Sequence, residues 1–267
     1  MPAANWQLLR RRLSSMAQIE ICLDSDSRYL RQNIRTVCAA GIDSIELCSQ
    51  MAQQGLSASA DALRQARAAC SAHTPLRVML RPRGGNFVYS IAEQQQIQAQ
   101  LLQAAKLGAD GIVVGALTAD AQPDLPFLTS LLQQCRQLGL ACTFHRAFDA
   151  CASPAEAVEH LLALGVQRLL SNGTPWQQQQ SITQGVRQLA TLQQYIAGRL
   201  VLVAGGGVTL TNLPQLQQIL HDNTQLCWHL YSAVLTEDKV DAAKLEQLQH
   251  CLTKRPKPNR QQGEPHA

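Results

Sequence analysis

Apolar runs of strand length recur along the chain, and a segment with helical spacing follows each one. The runs are IEICLD (19–24), SIELCS (44–49), LRVMLR (76–81), GIVVGA (111–116), ACTFHR (141–146), RLLSN (168–172), LVLVAG (200–205) and QLCWHLY (225–231). They begin 25, 32, 35, 30, 27, 32 and 25 residues apart, the length of one strand–helix unit. The intervening helices are clearest at 90–107, 124–138, 153–164 and 209–221. Ser90 with Glu93 three residues on is a capping-box pattern, and Ser153-Pro154 is an N-cap followed by proline at the first helical position. Gly41, Gly108, Gly139 and Gly165 stand just before strands, where helices close on glycine.

Eight strands of parallel type alternating with eight helices predict an α/β protein, a closed (β/α)8 TIM barrel. An open doubly wound sheet is the alternative, because strands with apolar residues on both faces suit either. A dinucleotide-binding sheet carries its glycine-rich turn after the first strand. Here that strand ends in LDSDS, and the triple glycine Gly205-Gly206-Gly207 follows the seventh. There is no nucleotide or PLP signature.

Composition narrows the class. Of 267 residues 46% are hydrophobic, too many for a disordered chain, yet no apolar run approaches the roughly 18 residues of a membrane helix. A net charge of +4, scattered along the sequence, gives no basis for a nucleic-acid partner. The nine cysteines are odd in number, spread out and without a CxxC, so they read as reduced cytosolic thiols rather than a disulfide scaffold or zinc ribbon. The ends fall outside the repeat. Residues 1–17 read as a flexible extension, with Arg10, Arg11 and Arg12 but no apolar stretch of a secretory signal, and Met16 reads as the true start. Residues 18–252 form the barrel domain. The tail 253–267, TKRPKPNRQQGEPHA, is expected to be disordered.

Active sites of such barrels lie at the C-terminal mouth, so polar residues late in strands are the candidates. They are Glu20, Cys22 and Asp24; Glu46 and Cys48; Arg81 and Arg83; His145, Arg146 and Asp149; Ser171 and Asn172; the triple glycine; and His229 and Ser232. Alternation puts Glu20, Cys22 and Asp24 on one face of the first strand and Glu46 and Cys48 on one face of the second, turned into the barrel. A buried carboxylate needs a partner, and Glu20–Arg81 and Glu46–Arg81 ion pairs are the expectation. Cys22 and Cys48 suit a small-residue core; two thiolates from adjacent strands also suit a soft monovalent metal such as Cu(I). Three successive glycines expose N–H groups that can cradle an anion, or form a tight turn. The glutamine runs 94–96 and 177–180 read as solvated helix faces.

The segments LRPRGGNFVYS (80–90) and TFHRAFD (143–149) resemble the two signature stretches of the CutC family. IEICLDS (19–25), SIELCS (44–49), GADGIVVGALTAD (108–120), SNG (171–173) and AGGGVT (204–209) match in order, so the resemblance runs from about Gln18 to His229. It implies a TIM barrel, a cytoplasmic location, a homo-oligomer and a role in copper homeostasis, with Cu(I) bound by Cys22 and Cys48. It also brings together Glu46, Arg81, His145 and Asp149 as catalytic candidates, and Glu20, Arg83, Arg146, Ser171, Gly205, Gly206, Gly207 and His229 as an anion- or substrate-binding set. The alternative is therefore a barrel enzyme of unassigned reaction on a small phosphate or carboxylate, with His145 as acid–base. A third reading is a non-catalytic scaffold. The chain departs from the family pattern in the loop QMAQQGLSAS (50–59), at Asn86 in place of an aspartate, and after strand eight, where HLYSAVLTEDKV runs almost directly into the last helix.

Overall fold

The computed structural model describes residues 17–221, 223 and 225–253. The expectations for residues 1–16, Met16 among them, and for 254–267 lie outside these. Among the described residues Ala17 is buried and Thr253 ends the last helix.

Eight parallel strands close into a barrel in sequence order: β1 (Gln18–Asp24), β2 (Ser44–Cys48), β3 (Leu76–Met79), β4 (Gly111–Val114), β5 (Ala141–Phe144), β6 (Arg168–Ser171), β7 (Val201–Ala204) and β8 (Leu226–Leu230). Register pairs Cys22 with Glu46 between β1 and β2, and Glu20 with His229 where β1 meets β8. The helices are α1 (Leu30–Ala39), α2 (Ala60–Ala69), α3 (Ile91–Lys106), α4 (Leu125–Gln137), α5 (Pro154–Ala163), α6 (Ile182–Ile196), α7 (Leu213–Ile219) and α8 (Ala242–Thr253). The closed barrel, not the open sheet, is the fold.

Local signals explain the boundaries. At the start of α3 Ser90 Oγ accepts from Glu93 N at 3.3 Å and Ser90 N donates to Glu93 Oε2 at 2.8 Å, completing the capping box. Pro154 opens α5 as expected, but the Ser153 side chain makes no cap bond. Gly41, Gly108, Gly139 and Gly165 all have positive φ after their helices. The chain after β8 does not run straight into α8. It builds a small hairpin, β9 (Leu235–Thr236) and β10 (Lys239–Val240). Asn33 of α1 holds that hairpin, donating to Asp238 O at 2.8 Å and accepting from Val240 N at 2.9 Å.

Alternation sorts the barrel residues as expected. Ile19, Ile21, Leu23, Ile45 and Leu47 belong to the main apolar layer with the helices. Cys22, Cys48, Met79 and Val113 form a separate cluster, as do Leu170, Val203 and Cys227.

The expected ion pairs of Arg81 are not the ones that form. Glu20 lies low in the barrel, with Arg168 Nη2 at 2.9 Å, Arg77 Nη1 at 3.5 Å and the Ser44 hydroxyl at 2.7 Å. Arg77 and Arg168 sit at the starts of β3 and β6, so this cluster is the barrel floor. Burial alone would raise the Glu20 pKa; Arg168 and Arg77 more than offset it and hold the carboxyl near 2. Glu46 pairs with His229 instead.

Candidate functional site

A cavity of about 260 Å³ opens at the C-terminal mouth. Of the candidate residues, Cys22, Glu46, Cys48, Arg81, His145, Arg146, Gly206, Gly207, His229 and Ser232 line it. Glu20, Asp24, Arg83, Asp149, Ser171, Asn172 and Gly205 do not.

One side of the cavity carries the thiols. Cys22 and Cys48 project from adjacent strands with Sγ atoms 3.7 Å apart. Cys48 Sγ–H donates to Glu46 Oε1 at 3.0 Å, and Glu46 Oε2 lies 2.6 Å from His229 Nε2. Donor atoms of Cys22, Glu46 and Cys48 all fall within 4.8 Å of one another. Met79 belongs to the same buried cluster as the two thiols, with Met51 and Tyr231 packed against it. The two thiols differ in acidity. Cys22 is lowered, first by the hydrogen bond that Cys48 can turn to its thiolate and then by His229, against burial and Glu46. Cys48 is raised well above the usual thiol value by its bond with Cys22, by burial and by Glu46. Burial would keep His229 neutral, but Glu46 and Cys22 raise it well above the ordinary histidine value, so His229 and Glu46 form an imidazolium–carboxylate pair.

The other side carries nitrogen donors. His145 follows β5, and its backbone N–H continues the ladder to Val114 O at 2.9 Å. Its Nδ1 accepts from Ala147 N at 3.1 Å, which leaves the proton on Nε2. The ring lies close over Gly115, where a Cβ would sit 2.4 Å from Nδ1; this is the physical need for glycine after β4. Burial, with Arg81 and Arg146 nearby, holds the imidazole pKa down near 3. At neutral pH the ring is accordingly a neutral N–H donor. Nε2 is buried and has no hydrogen-bond partner among the described residues.

Arg81 has no ion pair among the described residues. Its Nη1 donates to the carbonyls of Gln53, Gln54 and Gly55 at 2.9, 3.3 and 3.1 Å. Its guanidinium lies 5.2 Å from the Phe87 ring centre and 5.5 Å from that of Trp176. Arg146 stacks on the same indole at 4.9 Å and pairs with Asp149 Oδ2 at 2.8 Å. Asp149 thus holds Arg146 rather than facing the cavity. It also accepts from the Ser171 hydroxyl and, at 3.3 Å, from Asn172 N. Arg83 turns outward to Glu93 Oε1 at 2.5 Å and to Val88 O and Asn86 O. Gly206 and Gly207 have φ of +86° and +104°, and a Cβ on Gly206 would press to 2.9 Å from Asn172 Cβ.

Sequence reasoning missed Trp176, Phe87, Met51 and Met79 in the cavity wall and Arg77 and Arg168 in the floor. Trp176 stands just before the glutamine run 177–180, expected as a solvated helix face; Trp176–Gln178 is a single helical turn at the mouth.

The comparisons agree with this architecture. The CutC family model matches residues 17–224. A CutC family protein of Bacteroides thetaiotaomicron is 37% identical over 199 residues, 74% of this chain and 75% of its own. A human protein named copper homeostasis protein cutC homolog is 37% identical over 220 residues, 82% of this chain and 74% of its own. The crystal structure of the putative copper homeostasis protein CutC from Streptococcus agalactiae superposes with a TM-score of 0.71 at 28% identity, covering 80% of this chain and 98% of that one. The α subunit of tryptophan synthase from Legionella pneumophila, at 14% identity and a TM-score of 0.61, shares the barrel fold alone. The chain belongs to the CutC family.

Proposed function

We propose that this protein serves copper homeostasis by binding one Cu(I) ion between Cys22 and Cys48 at the barrel mouth. The observation that carries this reading is the pair of buried thiols, 3.7 Å apart on adjacent strands. Thiolate and thioether sulfur are the donors that select Cu(I), and Met79 belongs to the same buried cluster as both thiols. The raised acidity threshold of Cys48 does not oppose binding, because a soft metal displaces the thiol proton and Glu46 is placed to accept it. Copper homeostasis in the names of the human and streptococcal relatives supports the same reading. The same reading has the protein work in the reducing cytoplasm, which its nine cysteines, all free of disulfides, support.

Anaerobic titration of the reduced protein against a chromophoric Cu(I) competitor tests it, with Cys22→Ser/Cys48→Ser alongside. The expected result is one Cu(I) per chain, lost in the double variant. Equal binding by both proteins, or none by either, overturns the reading. Light scattering of the metal-free and loaded protein checks the homo-oligomer that the family resemblance implies.

A further inference from the structure

We propose that the mouth cavity binds a small organic carboxylate with an apolar body, held by Arg81, Arg146 and the Nε2–H of His145. Three donors of residues lining one cavity are left unused among the described residues: Arg81 Nε, Arg146 Nη2 and His145 Nε2 are all buried without a hydrogen-bond partner there. Arg81 and His145 are each only 3% exposed. A buried donor without a partner is destabilising, and three at one mouth are a cost that a ligand acceptor removes. The proton on His145 Nε2 follows from geometry, since Nδ1 is occupied as an acceptor by Ala147 N at 3.1 Å.

Charge sets the ligand's valence. Arg146 is paired with Asp149, and the Glu46 carboxyl is taken up by His229 and Cys48. Arg81 meets carbonyl oxygens, aromatic faces and the neutral Tyr89 hydroxyl, and no carboxylate among the described residues. One guanidinium without a counter-charge, facing a cavity, calls for one negative charge. A planar carboxylate matches the guanidinium fork with two acceptors. The wall sets the rest of the ligand: Met51, Met79, Phe87, Leu170, Trp176 and Val208 line the cavity and suit an apolar or aromatic body rather than a sugar phosphate. Trp176 lines the cavity, is half-buried and stacks on both guanidiniums, so an acid held by them alters the surroundings of its indole.

The test uses copper-free, full-length protein, so its outcome is independent of the copper reading. Phenylacetate and its uncharged isostere phenylacetamide are compared by calorimetry and by thermal shift, with inorganic phosphate as a third probe. Phenylacetate is expected to bind, to raise the melting temperature and to change the tryptophan emission. The amide is expected to bind at least tenfold more weakly. Arg81→Met and Arg146→Gln are each expected to lose at least tenfold in phenylacetate affinity; the second keeps the test alive if the first fails to fold. In ¹⁵N-histidine spectra the Nε2 signal of His145 should move on binding. Equal affinity for acid and amide, unchanged affinity in Arg146→Gln, tighter binding of phosphate, or no binding of phenylacetate overturns the proposal.

Discussion

At the floor of the barrel, Glu20 meets two guanidiniums, Arg168 at 2.9 Å and Arg77 at 3.5 Å. At the mouth, Arg81 meets no carboxylate and is held by the carbonyls of residues 53–55. Both clusters are buried and both are rich in arginine. They differ in what they face: the floor residues pack against one another, whereas Arg81 faces a cavity shared with two thiols and an unpaired imidazole N–H. A barrel needs its interior filled, and an ion cluster can do that when its charges are paired. The floor sets one carboxylate between two guanidiniums, and Glu20 Oε1, Arg77 Nε and Nη1 and Arg168 Nε are also buried without a hydrogen-bond partner among the described residues. What sets the mouth apart is that its open donors and soft sulfur atoms belong to residues lining a cavity, which is the arrangement of a binding site.

Breaking the floor gives the largest expected effect. Glu20→Gln leaves Arg77 and Arg168 buried without their carboxylate, and loss of one partner of a buried pair costs about 3–5 kcal/mol. Equilibrium urea unfolding measures it; a loss under about 1 kcal/mol would show that the floor does not depend on the pair. Phenylacetate binding at the mouth should survive in the fraction that folds.

The next effect separates the clusters by pH. Glu20 is held near 2, below its usual value of 4.5, so its stabilisation is present above pH 4.5 and fades only as pH falls toward 2. His145 is held near 3, below its usual 6.5, so the unfolded chain takes up its proton first. Its share of stability is full above pH 6.5 and falls by about 1.4 kcal/mol per pH unit below that. The difference in unfolding free energy between wild type and His145→Gln should therefore shrink by about 3 kcal/mol from pH 6.5 to pH 4. A constant difference would show that His145 is not held neutral. His229 has the opposite sign: its raised pKa stabilises the fold below pH 6.5 and is lost as pH rises through the folded value.

Gly115→Ala sharpens the contrast within the mouth itself. The new Cβ would sit 2.4 Å from His145 Nδ1 and 2.7 Å from Ala147 Cβ, and overpacking of this kind costs about 1–3 kcal/mol. The displaced ring should also lose phenylacetate. Unchanged stability and binding would mean that the ring is not fixed by that close approach.

The barrel was legible because strand and helix periods alternate with regular spacing, and the inward face of β1 and β2 because parity is rigid within a strand. Partners were not legible. Glu46 finds His229 because closure sets β8 beside β1 and brings its histidine over Glu46, a neighbourhood that no local pattern encodes. Arg77 and Arg168 escaped notice because candidates were sought at strand ends, whereas these two stand at strand starts. Trp176 was hidden by the glutamines that follow it.

Arg81 and Arg83 show where parity stops. They are two residues apart and would share a face if β3 continued, but the strand ends at Met79. Beyond it the chain turns: Arg81 stays inside, while Arg83 swings out to Glu93, with Arg83 and Glu93 side chains 37% and 24% exposed. A part-exposed pair of this kind is worth about 0.2–1 kcal/mol, so Arg83→Met should be the mildest of these changes. Its cost belongs to the loop 82–90, which Arg83 ties together through Asn86 O and Val88 O, and neither Cu(I) nor phenylacetate affinity should move by more than about twofold, since a contact made only within the loop contributes uniformly to free and bound states. A tenfold loss of either ligand in Arg83→Met would extend the binding site to the second arginine of the motif and dissolve the boundary between the mouth and its supporting loop.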